Sequence, residues 1–321
     1  MTNLHKFFVK NAFLWFLVLM VLMGYLIPYR ESYNAYFNLG TFIDWGIVII
    51  FLLYGLKLNL REVLNDVKNW KLHLLVQIAT FVLFPLLVMP FYKIAQGTEF
   101  YVLWLSIYFL ACLPSTVSSS VVMVSIAKGN VPSAIFNASI SGLIGIFATP
   151  MLMHPFMENN SGGAVDQVAI IQQLLLKVLL PIVLGLLLNR LCKKFIERYG
   201  KLIGKFDRLI ILLIVYESFS TAFVNRIFGS VPPITFAIIA VAVVGMFFIV
   251  YYLLQWASHR LHFNREDTIT TTFCGSQKSL VHGMVLGIPD NNKVMFLLPI
   301  MLYHSFQLFY VSWLANRIGN R

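Results

Sequence analysis

Long apolar segments recur along the whole chain and are separated by short polar stretches. A helix needs roughly 17 to 25 mostly apolar residues to cross a hydrocarbon core about 30 Å thick, so each segment predicts a membrane span. The runs are continuous, whereas strands of a membrane barrel alternate apolar and polar residues. The ten predicted spans are 13–28, 42–56, 72–91, 100–127, 133–155, 168–189, 209–227, 233–256, 268–288 and 294–315. We therefore expect an all-α polytopic membrane protein.

Two of the predicted spans contain polar interruptions. The fourth carries CLPSTVSSS at 112–120, and the ninth carries CGSQKS at 274–279. Pro114 removes a backbone donor from the first interruption, and Gly275 lies among small polar residues in the second. Small and hydroxylated residues also line close contacts between membrane helices, so either interruption alone is compatible with packing.

A glycine-rich stretch without Lys or Arg, MENNSGGAVDQ at 157–167, separates five predicted spans from five. Two halves with an odd number of helices have opposite orientations, as in the inverted repeats of secondary transporters. The predicted repeats are approximately 1–157 and 165–321, within one transporter unit 1–321. The interruptions occupy the fourth span of each half, and interrupted helices bind solutes near the midplane in such proteins.

The charge distribution indicates orientation in the membrane. The chain is 59% hydrophobic and 12% charged, with a net charge of +11. Of its 24 Lys and Arg residues, 18 fall at the termini or in loops on one predicted side and 4 on the other, while Lys177 and Lys278 fall within spans. This asymmetry predicts cytoplasmic termini in an inner or plasma membrane. The positive charge therefore does not indicate a nucleic-acid partner.

The sequence does not favour an enzyme. Its three cysteines, Cys112, Cys192 and Cys274, are scattered without disulfide or zinc spacing. It contains no GxSxG elbow, Walker loop or HExxH motif. The segment GSQKS pairs serine with lysine but has no evident oxyanion element. We expect neither catalysis nor an organic cofactor.

Four segments carry a family resemblance: FLVLMVLMGYLIP, FLLYGLKLNLREV, CLPSTVSSSVVMVSIAKGN and FCGSQKSL. Together they resemble the bile acid:sodium symporter family, most closely its SBF-like branch, over essentially the whole chain. The resemblance implies ten helices in a panel and a core domain, with helices four and nine crossing at unwound midpoints. It also implies alternating access and coupling of organic-anion uptake to two sodium ions.

The resemblance places a first sodium site at Ser119, Ser120, Ser133 and Asn137. The family has a Ser-Asn pair where this chain has Ser119 and Ser120. Ser133 and Asn137 are four residues apart and share a helix face. All four residues offer oxygen atoms to a hard cation, so the site is altered but chemically competent.

The second sodium site implied by the resemblance comprises Gln77, Gln277 and the backbone carbonyls of Cys274 and Ser276. A glutamate shared by both sites in the family is replaced here by Phe273. Losing this carboxylate removes the charge that offsets sodium dehydration in a low-dielectric site. Sodium coupling is therefore less secure than in the family at large.

Lys278 occupies the place of a family asparagine. We hypothesise that its ammonium lies in or near the second site and stands in for a permanently bound ion. Loss of its proton in one conformational state would make the carrier proton-linked. The alternative is a lysine that snorkels to the interface. A buried lysine needs a partner, and Glu217 of the seventh span is the acidic residue that we expect to pair with it.

Polar residues in or beside the interruptions complete the candidates for substrate binding and coupling: Ser115, Thr116, Ser279 and His282. His282 also fits a satisfied interhelical contact. The sequence predicts a secondary transporter of a small organic anion, with sodium-coupled, proton-linked and uncoupled transport left open. A channel and a membrane regulator are the other classes considered.

Overall fold

The computed structural model describes seven stretches of the chain, and every regular element in them is helical. They are 12–29, 38–57, 67–116, 118–157, 175–224, 232–285 and 293–320. The all-α class predicted from the sequence is confirmed.

The helices follow the apolar segments in chain order. They are α1 (Ala12–Leu26), α2 (Leu39–Lys57), α3 (Trp70–Ala95), α4 (Tyr101–Cys112), α5 (Ser118–Ile126), α6 (Val131–Met157), α7 (Leu180–Val224), α8 (Pro233–Arg260), α9 (Arg265–Gly275), α10 (Leu280–Val285) and α11 (Lys293–Gly319). A π-helical turn over Leu175–Leu179 leads into α7.

Five helices within the described stretches are long and apolar enough to cross a membrane: α2, α3, α6, α8 and α11. Helix α4 and the Leu180–Asn189 part of α7 are apolar but shorter. The other predicted spans fall on short helices or extend beyond the described residues. The count of ten spans stays a prediction.

The stretch between the sixth and seventh predicted spans differs from its expected loop. Helix α7 remains helical through residues 190–208, where seven Lys and Arg residues suggested a connection. It bends within this stretch, because Gly185 packs on Leu52 and Ile210 packs on Gly46, about 9 Å apart along α2, whereas a straight helix would separate Gly185 from Ile210 by about 37 Å. Apolar residues recur in this stretch at helical spacing, including Leu191, Phe195 and Leu202. The many charged residues between these apolar positions make the periodicity difficult to recognise in the sequence.

The chain divides into two compact units. The first comprises Met1–Lys57 and Pro181–Thr235, and the second comprises Leu58–Leu180 and Phe236–Arg321. Each unit thus contains residues from both predicted repeats.

Helices α2 and α7 approach each other closely within the first unit, at two glycines. A Cβ atom on Gly55 would overlap the carbonyl oxygen of Ile182, and one on Gly185 would overlap that of Leu52. Small residues allow such backbone contact between membrane helices.

The second unit is built around α4 and α9. Helix α4 packs on α3, α6 and α11, and α9 packs on α3, α5 and α6. Almost every side chain of α4 is buried, which suits its uniformly apolar sequence. Both polar interruptions belong to this unit.

Candidate functional site

The two polar interruptions meet inside the second unit. One follows the end of α4 and the other follows the end of α9. The main-chain N–H of Ser279 donates to the carbonyl oxygen of Pro114 at 2.9 Å. The hydroxyl of Ser115 donates to the carbonyl oxygen of Cys274 at 2.6 Å. Residues 159 positions apart are therefore joined at a buried polar centre.

Lys278 lies at this centre and is 1% exposed. Its Nζ atom donates to the carbonyl oxygens of Thr80 at 2.8 Å, Ala111 at 2.7 Å and Leu113 at 2.7 Å. Three acceptors match the three N–H groups of an ammonium ion. The ring centroid of Phe84 lies 4.2 Å away, within cation–π distance. The side chain is enclosed by protein and does not snorkel to an interface.

A helix irregularity explains why the Thr80 carbonyl is available. Residues Ala79–Leu83 form a π-helical turn, and the N–H of Phe84 donates to the carbonyl of Ala79. In the same π-helical register, the residue whose N–H would donate to the carbonyl of Thr80 is Pro85. Proline has no N–H, so the carbonyl of Thr80 is left for Lys278.

The end of α4 makes the other two carbonyls available. In a continued helix, the Ala111 carbonyl would accept from the N–H of Ser115, but this N–H donates to Oγ of Ser141 at 2.9 Å. The Leu113 carbonyl lies beyond the last helical residue. Lys278 therefore caps the C-terminus of α4, where the helix dipole favours a positive charge.

Two side chains of α11 hold the second interruption in place. Oε1 of Gln307 accepts from the N–H of Lys278 at 2.8 Å, and Nε2 of Gln307 donates to the carbonyl of Lys278 at 2.9 Å. The hydroxyl of Tyr303 donates to the carbonyl of Ser276 at 2.6 Å. Sequence reasoning missed both residues. The signal that could have identified them is their spacing, since a glutamine four positions after a tyrosine lies on the same face of a helix.

Gln77, Ser133 and Asn137 form a polar cluster between α3 and α6. Nε2 of Gln77 lies 3.2 Å from Oδ1 of Asn137, whose Nδ2 donates to the carbonyl of Ser133 at 2.9 Å. Nδ2 of Asn137 also lies 2.9 Å from Nδ1 of His73, which the sequence analysis overlooked. Within the described stretches, Oε1 of Gln77 and Oγ of Ser133 are buried without a hydrogen-bond partner. Such oxygens are suitable ligands for a hard cation.

The other residues of the predicted ion sites form a second cluster around α5. Oγ of Ser119 lies 3.1 Å from both Oγ1 of Thr116 and Oε1 of Gln277. The hydroxyl of Ser120 donates to the carbonyl of Thr116 at 2.6 Å. The hydrogen bonds thus group residues differently from the two predicted sodium sites, because Gln77 joins Asn137 and Ser119 joins Gln277.

The backbone carbonyls predicted to complete the second ion site already accept hydrogen bonds. That of Cys274 accepts from Ser115, and that of Ser276 accepts from Tyr303. Beside them, Oγ of Ser279 lies 2.9 Å from Nδ1 of His282. These carbonyls hold the interruption together in this conformation.

Glu217 belongs to the first unit, on α7. Its Oε1 would lie 3.6 Å from a Cβ atom placed on Gly40 of α2. The described hydrogen bonds of the Lys278 ammonium go to three main-chain carbonyls. The pairing of Glu217 with Lys278 stays a prediction.

A buried lysine and a cluster of oxygen atoms among membrane-length apolar helices are typical of membrane transport proteins. Comparison with known proteins agrees with this class. The chain belongs to the SBF-like CPA transporter family, whose family model matches residues 11–320. It is therefore an integral membrane protein of a transporter family.

Bacterial and animal proteins resemble the chain over most of its length. An uncharacterised protein of Pseudomonas aeruginosa is 34% identical over 324 residues, covering 98% of this chain and 94% of that protein. YfeH of Escherichia coli (strain K12), a proposed symporter, is 35% identical over 316 residues, covering 97% and 93%. Sodium/bile acid cotransporter 7-A of Xenopus laevis is 30% identical over 279 residues, covering 84% and 80%. The family resemblance predicted from the sequence is confirmed.

Proposed function

We propose that this protein is a secondary active transporter that moves a small organic anion by alternating access. The observation that carries the proposal is the meeting of two polar interruptions around a buried cation in an apolar helical unit. The relative named as a sodium/bile acid cotransporter supports an organic solute and a sodium partner.

The proposed architecture is a ten-helix inverted repeat. In this arrangement the first unit is the panel domain and the second unit is the core domain. Helices α4 and α5 form the interrupted fourth helix, and α9 and α10 form the interrupted ninth. The proposed repeats are approximately 1–157 and 165–321, and the asymmetric distribution of basic residues supports cytoplasmic termini.

Sodium is proposed to bind at the cluster of Gln77, Ser133 and Asn137. The buried oxygen atoms of Gln77 and Ser133 that lack partners in the described stretches support this assignment. Sodium bound there would offset their desolvation. The hydroxyls of Ser119 and Ser120 are the additional ligands that the family resemblance implies.

Lys278 is proposed to replace a second sodium ion. Its ammonium is bound by three carbonyl oxygens, which are ligands that a sodium ion also uses. Three acceptors at 2.7–2.8 Å favour retention of the proton, and so favour a built-in cation over proton-linked transport in this conformation. One sodium ion would then move per cycle.

The substrate is proposed to be an anion because the carbonyl groups that accept hydrogen bonds from Lys278 carry no net charge. They leave its positive charge available to attract a negatively charged solute. The N-terminus of α5, which follows Ser115 and Thr116, adds a partial positive charge. Ser279 and His282 supply polar atoms on the opposite interruption.

Uptake into proteoliposomes tests the proposal. A labelled bile acid and labelled small carboxylates and sulfonates would be offered with an inward sodium gradient or a matched choline gradient. We expect saturable uptake of at least one anion, accelerated by the same unlabelled anion inside. Flux without such acceleration, at rates far above carrier turnover, would indicate a channel. Absence of flux for every anion would contradict the transporter assignment.

A further inference from the structure

The middle of α7 separates basic and apolar positions onto different sides of the helix. Residues 190–209 contain seven Lys and Arg residues and two acidic residues. At about 100° per residue, six basic positions fall within an arc of about 80°. The apolar positions occupy the arc beside it. The six basic positions are Arg190, Lys194, Arg198, Lys201, Lys205 and Arg208.

Only part of the apolar arc is covered within the protein. Ile203 on its far edge is buried. On the edge next to the basic residues, Leu191 is 82% exposed, Leu202 is 61% exposed and Phe195 is 52% exposed. Tyr199 continues this edge, with its ring 4.9 Å from that of Phe195. Large apolar side chains and cations therefore lie side by side on one surface of α7.

We name this surface the interfacial face and define it by Leu191, Phe195, Arg198, Leu202 and Lys205. Both Arg198 and Lys205 are exposed. Several large apolar side chains exposed together indicate an interaction surface. A basic rim beside aromatic and leucine side chains is typical of helices that lie in the membrane interface.

We propose that the interfacial face lies on the membrane surface and binds anionic phospholipid headgroups. In this arrangement Arg198 and Lys205 contact phosphate groups, while Leu191, Phe195 and Leu202 enter the boundary of the acyl chains. The apolar stretch Leu180–Asn189 precedes this segment in the same helix, and the bend of α7 between Gly185 and Ile210 allows the segment to lie along the edge of the bilayer instead of projecting from it. The positive charge of the segment selects an anionic lipid over a zwitterionic one.

Hydrogen–deuterium exchange of the full-length protein tests this proposal. The protein would be placed, one copy per disc, in nanodiscs of phosphatidylcholine alone or of phosphatidylcholine mixed with phosphatidylglycerol. We expect amide exchange in residues 190–209 to be about thirty-fold slower in the anionic discs, because each of two cations that contact headgroups contributes about 1 kcal/mol. High salt would remove most of this difference.

A matched pair of variants separates specific contact from general charge. The double variant Arg198→Gln and Lys205→Gln should lose the lipid-dependent protection. The control double variant Arg260→Gln and Arg317→Gln removes the same amount of charge from exposed positions on α8 and α11. This control should retain the lipid-dependent protection. Equal exchange in both lipids, or equal loss of protection in both variants, would overturn the proposal. Protection that appears only with two copies per disc would assign the face to a second protein molecule instead.

Discussion

Replacement of Lys278 by methionine keeps a long buried side chain but removes its three N–H donors. The carbonyl oxygens of Thr80, Ala111 and Leu113 then lose partners that lie at 2.7–2.8 Å. The carbonyls of Thr80 and Ala111 do not regain a helical donor readily, since Pro85 has no N–H and the N–H of Ser115 is bound to another side chain.

The size of the effect follows from two opposing contributions. A buried acceptor left without a donor costs about 1–3 kcal/mol, so three of them cost about 6 kcal/mol. Removal of the ammonium also relieves its own desolvation, which is several kcal/mol. We expect a net loss of about 3 kcal/mol in the free energy of unfolding.

Sodium should reverse part of this loss in the Lys278→Met variant. The three free carbonyls could then hold a metal cation in place of the ammonium. Sodium at about ten times its dissociation constant would restore about 1.4 kcal/mol.

Thermal unfolding of the purified protein provides the assay. Wild type, Lys278→Met and the control Lys71→Met would be compared in NaCl and in matched choline chloride. Lys71 is exposed near the start of α3, so its replacement should leave the unfolding temperature unchanged. If Lys278→Met unfolded at the wild-type temperature in choline chloride, the hydrogen bonds from the ammonium to the three carbonyls would not stabilise the protein.

Four further substitutions test other parts of the account. Gln307→Leu removes two hydrogen bonds to the backbone of Lys278 and should lower the free energy of chemical unfolding by about 2 kcal/mol. It should also lower anion uptake, and unchanged uptake would show that Gln307 does not position the interruption. Wild type should unfold at a higher temperature in NaCl than in choline chloride, and Asn137→Leu should abolish this difference. If the variant retained the difference, sodium would bind elsewhere. Gly185→Leu should lower the yield of folded protein in size-exclusion chromatography, because its side chain would overlap α2; a normal profile would deny that contact. Glu217→Gln should impair uptake if Glu217 pairs with Lys278, and full activity with unchanged stability would refute the pairing.

The fold class and the location of the polar centre could be predicted because both depend on local sequence. Continuous apolar runs specify helices in a membrane, since backbone groups there must be hydrogen-bonded within the segment. Pro114 and the hydroxyl-rich stretch after it cannot continue an apolar helix without leaving polar groups to satisfy. The ends of α4 and α9 fall at these places.

The partners across the centre could not be predicted because they join residues far apart in the chain. Lys278 reaches Thr80, which is 198 residues away, and only the combination of a π-helical turn with Pro85 makes that carbonyl available. Gln307 and His73 resembled isolated polar residues in apolar spans. The helical middle of α7 could not be predicted for a different reason, since seven Lys and Arg residues within 190–208 are equally typical of a loop between two membrane spans.

The number of sodium ions bound per protein shows most directly whether Lys278 replaces one of them. Equilibrium binding of radioactive sodium would be measured for purified wild type and Lys278→Ala, with unlabelled sodium as competitor. If Lys278 replaces one sodium ion, wild type should bind one competable ion and Lys278→Ala should bind two. Two ions in wild type, or no gain in Lys278→Ala, would contradict it.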